Sequence, residues 1–168
     1  MRTTLGGNKN HMPIGYLSGT ASPTKHTKRV RASMYLAIAV ELRALARRRG
    51  RGAACDYVRL FLRGRAFELS LKAFLLLNGR TAADVKRLGH SLSKCLDAVI
   101  AQGLVVRAPS AQASSELQAF DQLYKDKRFE YFSTFELLVP SVTSTYSRLW
   151  RYASRVQQEV MRAFLASA

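Results

Sequence analysis

The sequence predicts an all-α protein, an up-and-down bundle of about five to six helices that follows a flexible N-terminal arm. Ala, Leu and Arg, which favour helices, are abundant. Only four prolines occur among 168 residues, and two of them lie within the first 23. Apolar residues recur at helical spacing along most of the remaining chain. We therefore expect an arm over 1–28 and one helical domain over 29–168, long enough to bury its own core.

The arm and the first helix differ sharply in composition. Residues 1–28 are dense in Gly, Asn, Ser, Thr, Pro and Lys and lack apolar periodicity, which is typical of a flexible basic segment. Helix one is predicted from about Arg29 to Arg49, with its core-facing residues four or three positions apart. These are Met34, Ile38, Leu42 and Leu45, with Arg43 and Arg47 on the far side.

Helix two, predicted from about Ala54 to Leu77, has two apolar faces. The first face contains Tyr57, Leu60, Phe61, Leu71 and Leu75. The second contains Leu62, Ala66, Leu69, Ala73 and Leu76. Such a helix is either the central helix of the bundle or a helix whose second face meets a partner chain. We favour a homodimer that pairs partly through Leu62, Leu69 and Leu76 of helix two, with the last helix as the alternative interface.

The remaining helices are shorter or less regular. Thr81 followed by Asp84 is a capping box, which predicts a short third helix to about Leu88. Three more helices are predicted after the Gly89-His90 dipeptide: one ends at Gly103, one lies around 117–124, and the last spans about 141–164.

A stretch between Arg63 and Leu96 resembles the HEPN domains of prokaryotes. It contains Glu-x-x-Leu-Lys-Ala, an aliphatic run, Asn-Gly, and then Gly-His-Ser-Leu-x-Lys. The resemblance implies a helical bundle from a family that includes ribonucleases, toxins and non-catalytic nucleic-acid or partner-binding proteins. It also implies a setting in bacterial defence, toxin–antitoxin or regulatory systems, and pairing through helices.

The ribonucleases of that family use an Arg-x4-6-His pair, suited to phosphate stabilisation and proton transfer. The positions that precede His90 at this spacing are Ala83, Asp84 and Val85, so the pair is missing. The departure implies a non-catalytic RNA-binding or nucleotide-binding module. A protein-interaction domain and a ribonuclease with an unrecognised site remain the alternatives.

The charge balance points to anionic partners. The chain has 27 Lys plus Arg against 11 Asp plus Glu, a net charge of +16. Residues 1–31 contain only six of the cations and none of the acids. Cations therefore outnumber acids in the rest of the chain as well, and the folded part is basic. We expect RNA or a nucleotide as the ligand, and an acidic protein as the alternative partner.

Two residues in the middle of the chain are candidates for special roles. Glu68 lies on the first apolar face of helix two, where a carboxylate needs a partner, and Lys72 is four residues on. We predict a structural ion pair between them. His90 precedes helix four, where it can bond backbone groups, reach across to Glu68 on helix two, or contact a phosphate.

The last helix has a row of arginines apart from its apolar stripe. The row is Arg148, Arg151, Arg155 and Arg162. We predict that these residues bind phosphate, together with His90 and with Arg128, which lies in a segment that mixes aromatic and cationic residues.

Neither metal nor membrane binding is indicated. Cys55 and Cys95 are isolated, so we expect no metal site and no cofactor. No uninterrupted apolar run, Ala73 to Leu77 included, approaches the ~20 residues of a membrane-spanning helix. The first 30 residues lack the apolar region of a signal peptide, so we expect a cytoplasmic protein.

Overall fold

A computed structural model describes residues 24–48, 53–126 and 146–167. Within these ranges the protein is all-α, which confirms the predicted fold class. The described residues form six helices: α1 (Lys25–Arg47), α2 (Ala53–Leu77), α3 (Ala82–Arg87), α4 (Leu92–Ala101), α5 (Ala111–Lys125) and α6 (Ser147–Ala166). Residues 1–23 of the predicted arm, and the predicted ligand Arg128, lie outside the described residues.

Helix α1 begins earlier than its apolar pattern indicates. It begins at Lys25, not near Arg29, and Thr24 caps it by accepting a hydrogen bond from the Thr27 backbone N–H at 3.3 Å. The first turn of α1 is polar, and a polar turn carries no apolar periodicity. The boundary that the sequence predicts at residue 28 therefore lies within the first turn of α1.

Helix α1 packs along α2 through a face other than the predicted one. The buried residues are mostly alanines: Ala32, Leu36, Ala39 and Ala46. Small side chains let two helix axes approach closely, and α1 therefore packs on α2 through its alanine face. Met34 and Ile38 are 59% and 47% exposed, and the stripe that the sequence indicated as the core face is largely uncovered.

Helix α2 is the central helix, which packs against α1, α3, α4 and α6. The second apolar face of α2 is covered by the chain itself, because Leu69 and Leu76 are only 6% and 2% exposed. Those two leucines are therefore core residues of one chain, and Leu62 is half-buried. The dimer interface predicted at Leu62, Leu69 and Leu76 is corrected accordingly: this face belongs to the core of one chain.

Helix α5 positions the starts of α4 and α6 with two buried acids. Asp121 accepts a hydrogen bond from the Leu92 N–H at 2.5 Å, at the first residue of α4. Glu116 accepts from the N–H groups of Arg148 and Leu149 at 2.9 and 2.8 Å, in the first turn of α6. The first N–H groups of a helix lack partners within the helix, and a carboxylate also suits the positive end of the helix dipole.

Candidate nucleic-acid interface

Helices α1, α2 and α6 bring five arginines together around one tryptophan. Two neighbouring depressions share Arg63, Trp150 and Ser154. One of about 100 Å³ is also lined by Arg43 and Arg47, and the other, about 590 Å³, by Arg151 and Arg155. We call this the arginine surface: Arg43, Arg47, Arg63, Arg151, Arg155 and Trp150.

Arg63 lies at the centre of the arginine surface. Its Cζ atom is 5.7 Å from the centroid of the Trp150 ring, within the range of a cation–π contact. The indole is held from another side by Phe120, edge to face, with ring centroids 4.9 Å apart. The contact positions a guanidinium and a large aromatic ring side by side, in the middle of the cationic groups.

The charges on this surface repel one another. The pKa of Arg63 is lowered by burial and by the positive charges of Arg59 and Arg47, which together outweigh the opposite effect of Asp56. The pKa of Arg43 is lowered by burial and by Arg47. Arginine keeps its proton in spite of such shifts. The repulsion is therefore present in the folded protein.

The structure brings together only part of the predicted arginine row of α6. Arg148, Arg151, Arg155 and Arg162 are all exposed, and Arg151 and Arg155 line the arginine surface. Arg162 donates to Glu159 at 2.6 Å. Neither Arg148 nor Arg162 lines the two depressions.

Sequence reasoning missed Trp150 within α6 itself and three arginines of other helices, Arg43, Arg47 and Arg63. Arg43 and Arg47 are visible in the sequence as the polar side of helix one, but nothing local indicates that they face α6. Arg63 and Trp150 are 87 positions apart in the numbering. Only the packing of α6 on α2 makes them neighbours.

His90 belongs to a second polar centre, built around Glu68. The Glu68 side chain is fully buried. Its Oε1 accepts from Lys72 Nζ at 2.5 Å, and its Oε2 accepts from the Tyr124 hydroxyl at 2.6 Å and from Arg65 Nη1 at 2.9 Å. The Nδ1 atom of His90 is 3.3 Å from the same Oε2. The pair expected from the Glu68–Lys72 spacing is thus part of a larger network.

The electrostatics of this centre favour a fixed carboxylate. Burial acts to raise the pKa of Glu68, but hydrogen bonds from Lys72 and Tyr124 and the charges of Lys72 and Arg65 lower it below its usual value. Burial and the adjacent carboxylate raise the pKa of Tyr124, which keeps the hydroxyl as a donor. A carboxylate engaged by these donors is poorly suited to accept a proton from a substrate. We therefore interpret the network around Glu68 as structural.

Other chemistry is not indicated among the described residues. Burial raises the pKa of the Cys95 thiol to about 12, so this sulfur is not a nucleophile near neutral pH. Within 24–48, 53–126 and 146–167, no three His, Cys, Asp or Glu side chains are grouped so that they could hold a metal ion.

A search of the described helices found none that is long and apolar enough to cross a membrane.

Comparisons of this chain with protein-family models, with curated proteins and with solved structures found no match. The resemblance to HEPN domains therefore stays a prediction from the sequence.

Proposed function

We propose that the protein is a non-catalytic RNA-binding or nucleotide-binding module that holds phosphate groups on the arginine surface. The observation that carries the proposal is the convergence of five arginines from three helices around Trp150. None of the described side chains that line the two depressions is acidic. Among the described lining residues, positive charge is therefore in excess where an anion can reach it.

The residue types suit a single-stranded nucleic acid. Guanidinium groups donate paired hydrogen bonds to phosphate oxygens. An indole ring supplies the flat surface on which a base can stack, and stacking on aromatic residues is a common mode of single-strand recognition. Ser154, Gln157 and Gln158 line the same depressions and add neutral donors and acceptors.

The same lining residues support binding over cleavage. Hydrolysis of RNA by proton transfer needs a group such as His, Asp or Glu beside the phosphate. Among the described residues of the arginine surface no such group is present. His90 belongs to the network of Glu68 instead. The missing Arg-x4-6-His pair of the resembling family supports the same conclusion.

The proposal is tested by the binding of a labelled single-stranded RNA of about ten nucleotides, followed by fluorescence anisotropy. The variant carries Arg63→Gln, Arg151→Gln and Arg155→Gln. A matched control carries Lys94→Gln, Arg107→Gln and Lys125→Gln, three exposed cations outside the arginine surface. Both variants lose the same charge.

We expect the first variant to weaken RNA binding by at least about tenfold, since one charge-assisted hydrogen bond alone contributes on that order. The control should change the Kd by less than about threefold, because it weakens only the long-range attraction between the net charge of the protein and the RNA. Equal weakening by both variants would mean that RNA responds to net charge and not to this surface. Intact RNA after incubation is expected, whereas cleavage lost in His90→Ala would show that the protein is a ribonuclease.

A further inference from the structure

A cleft of about 870 Å³ lies between α1 and the turn that joins α3 to α4, with α2 beneath it. It shares no lining residue with the arginine surface. Its apolar lining residues are Val30, Met34, Tyr35, Ile38, Leu69, Ala82 and Val85. The cleft follows α1 from Thr27 to Ile38, a rise of about 16 Å at 1.5 Å per residue, or roughly three helical turns.

The α1 wall of the cleft is an exposed apolar stripe. Val30, Met34 and Ile38 stand four residues apart, so they lie on successive turns of one face. They are 46%, 59% and 47% exposed. Single exposed apolar residues are ordinary, but three in a row beside a groove mark a surface that a partner covers.

Positive charge surrounds this apolar wall. Arg31, Arg65 and Lys86 line the cleft, from three different helices. Glu68 is the one acid among the described lining residues, and it is buried and engaged by Lys72, Arg65 and Tyr124. An occupant therefore meets an apolar wall on α1 and cationic groups from α1, α2 and α3.

We propose that this cleft binds an amphipathic helix of an acidic partner protein. The occupant would lay apolar side chains, spaced three and four residues apart, between the α1 stripe and Val85. It would place Asp or Glu side chains beside Arg31, Arg65 and Lys86. This inference goes beyond the proposed RNA binding and does not depend on it.

Charge complementarity selects this occupant over a second copy of the chain. The protein has a net charge of +16, and Glu41 is the only acid in α1 against six Lys and Arg. Helix α6 likewise has one acid, Glu159, against four arginines. A second copy that brought either helix to the cleft would add positive charge to positive charge, whereas an acidic helix neutralises it.

The test uses the full-length protein and a synthetic helical peptide of about fifteen residues, with leucines along one face and glutamates beside them. A second peptide has lysine in place of every glutamate. Met34→Asp and Ile38→Asp remove the apolar wall at exposed positions, and Val105→Asp is the matched control because Val105 is 87% exposed and outside the cleft. Circular dichroism and thermal melting verify that each variant is folded.

The acidic peptide should bind with a Kd that each cleft variant weakens at least about tenfold, since the burial of one such side chain contributes on that order. Val105→Asp should leave the Kd unchanged, and the lysine peptide should not bind. RNA binding should be unaffected by Ile38→Asp, so a failure of this proposal can be distinguished from a failure of the proposed function.

No binding of the acidic peptide, or equal binding by all variants, would overturn the proposal. A dimer in light scattering that Met34→Asp dissociates would assign the cleft to a second copy instead.

Discussion

At the scale of single residues, Glu68 shows how a buried charge becomes part of the core. Its two oxygens accept from Lys72, Tyr124 and Arg65, so the cost of burial is offset by hydrogen bonds and by opposite charge. Lys72 depends on Glu68 in turn, because its side chain is only 9% exposed. Lys72 also donates to the Gly89 carbonyl at 2.5 Å, which ties α2 to the turn before α4.

Glu68→Gln should lower the free energy of unfolding by about 3 kcal/mol or more, because it leaves the Lys72 ammonium buried without a counter-charge. Urea denaturation at neutral pH measures the change. The matched control is Glu159→Gln, whose partner Arg162 is 71% exposed and whose loss should cost less than about 1 kcal/mol. A loss below about 1 kcal/mol for Glu68→Gln would contradict the account of this network.

The lowered pKa of Glu68 predicts how the stability of the protein changes at acidic pH. The pKa of Glu68 is lowered in the folded protein, so its contribution to stability is present in full above its ordinary value of 4.5. That contribution is lost as the pH falls through the lowered value. The difference in unfolding free energy between the wild type and Glu68→Gln should therefore shrink as the pH drops below about 4.5. A difference that stays constant down to pH ~2 would mean that the pKa of Glu68 is not lowered.

Gly64 offers a test in which two effects have opposite signs. Alanine is the better helix former, and by propensity alone Gly64→Ala would stabilise α2 by roughly 1 kcal/mol. A Cβ atom at this position, however, would lie 2.8 Å from Tyr124 Cε2 and 3.0 Å from Phe120 Cε1. We expect a net loss of about 1–3 kcal/mol in urea denaturation, because both rings are buried and Tyr124 is held by Glu68. A stabilised variant would refute this packing.

At the scale of helices, α1 and α5 show where sequence patterns succeed and where they fail. The apolar period predicts that α1 is a helix, but not which face is buried, because alanines give a weaker hydrophobic signal than Met34 and Ile38. Which face of α1 is buried depends on how closely α1 can approach α2, and that distance is a property of the pair of helices. The capping acids of α5 have no local signal either, since Glu116 and Leu149 are 33 residues apart.

Glu116→Ala should destabilise the protein by about 1–2 kcal/mol, because two N–H groups at the start of α6 lose their acceptor. Glu41→Ala is the control, a change of the same kind at an exposed position inside α1. Its effect should lie within about 0.5 kcal/mol. Thermal melting compares the two variants, and an equal shift in Tm would argue against the role of Glu116 as a cap.

At the scale of the whole molecule, the sequence indicates a basic helical protein, and the fold determines where the charge collects. The spacing of Arg151 and Arg155 in the last helix predicts that they share a face. Arg63 reaches them only because α6 packs on α2, whereas Arg148, which the sequence analysis included, does not line the two depressions. The isolated pattern of one helix therefore identifies part of the arginine surface, and the rest requires the packed bundle.

The dependence of RNA affinity on salt tests this account most directly. Each phosphate contact to a single strand contributes about 0.7 to the slope of log K against log salt concentration. The triple variant Arg63→Gln, Arg151→Gln and Arg155→Gln should therefore flatten the slope by about 2, while the control of Lys94, Arg107 and Lys125 should retain the slope of the wild type. A folded triple variant with the affinity and slope of the wild type would contradict the claim that the arginine surface binds RNA.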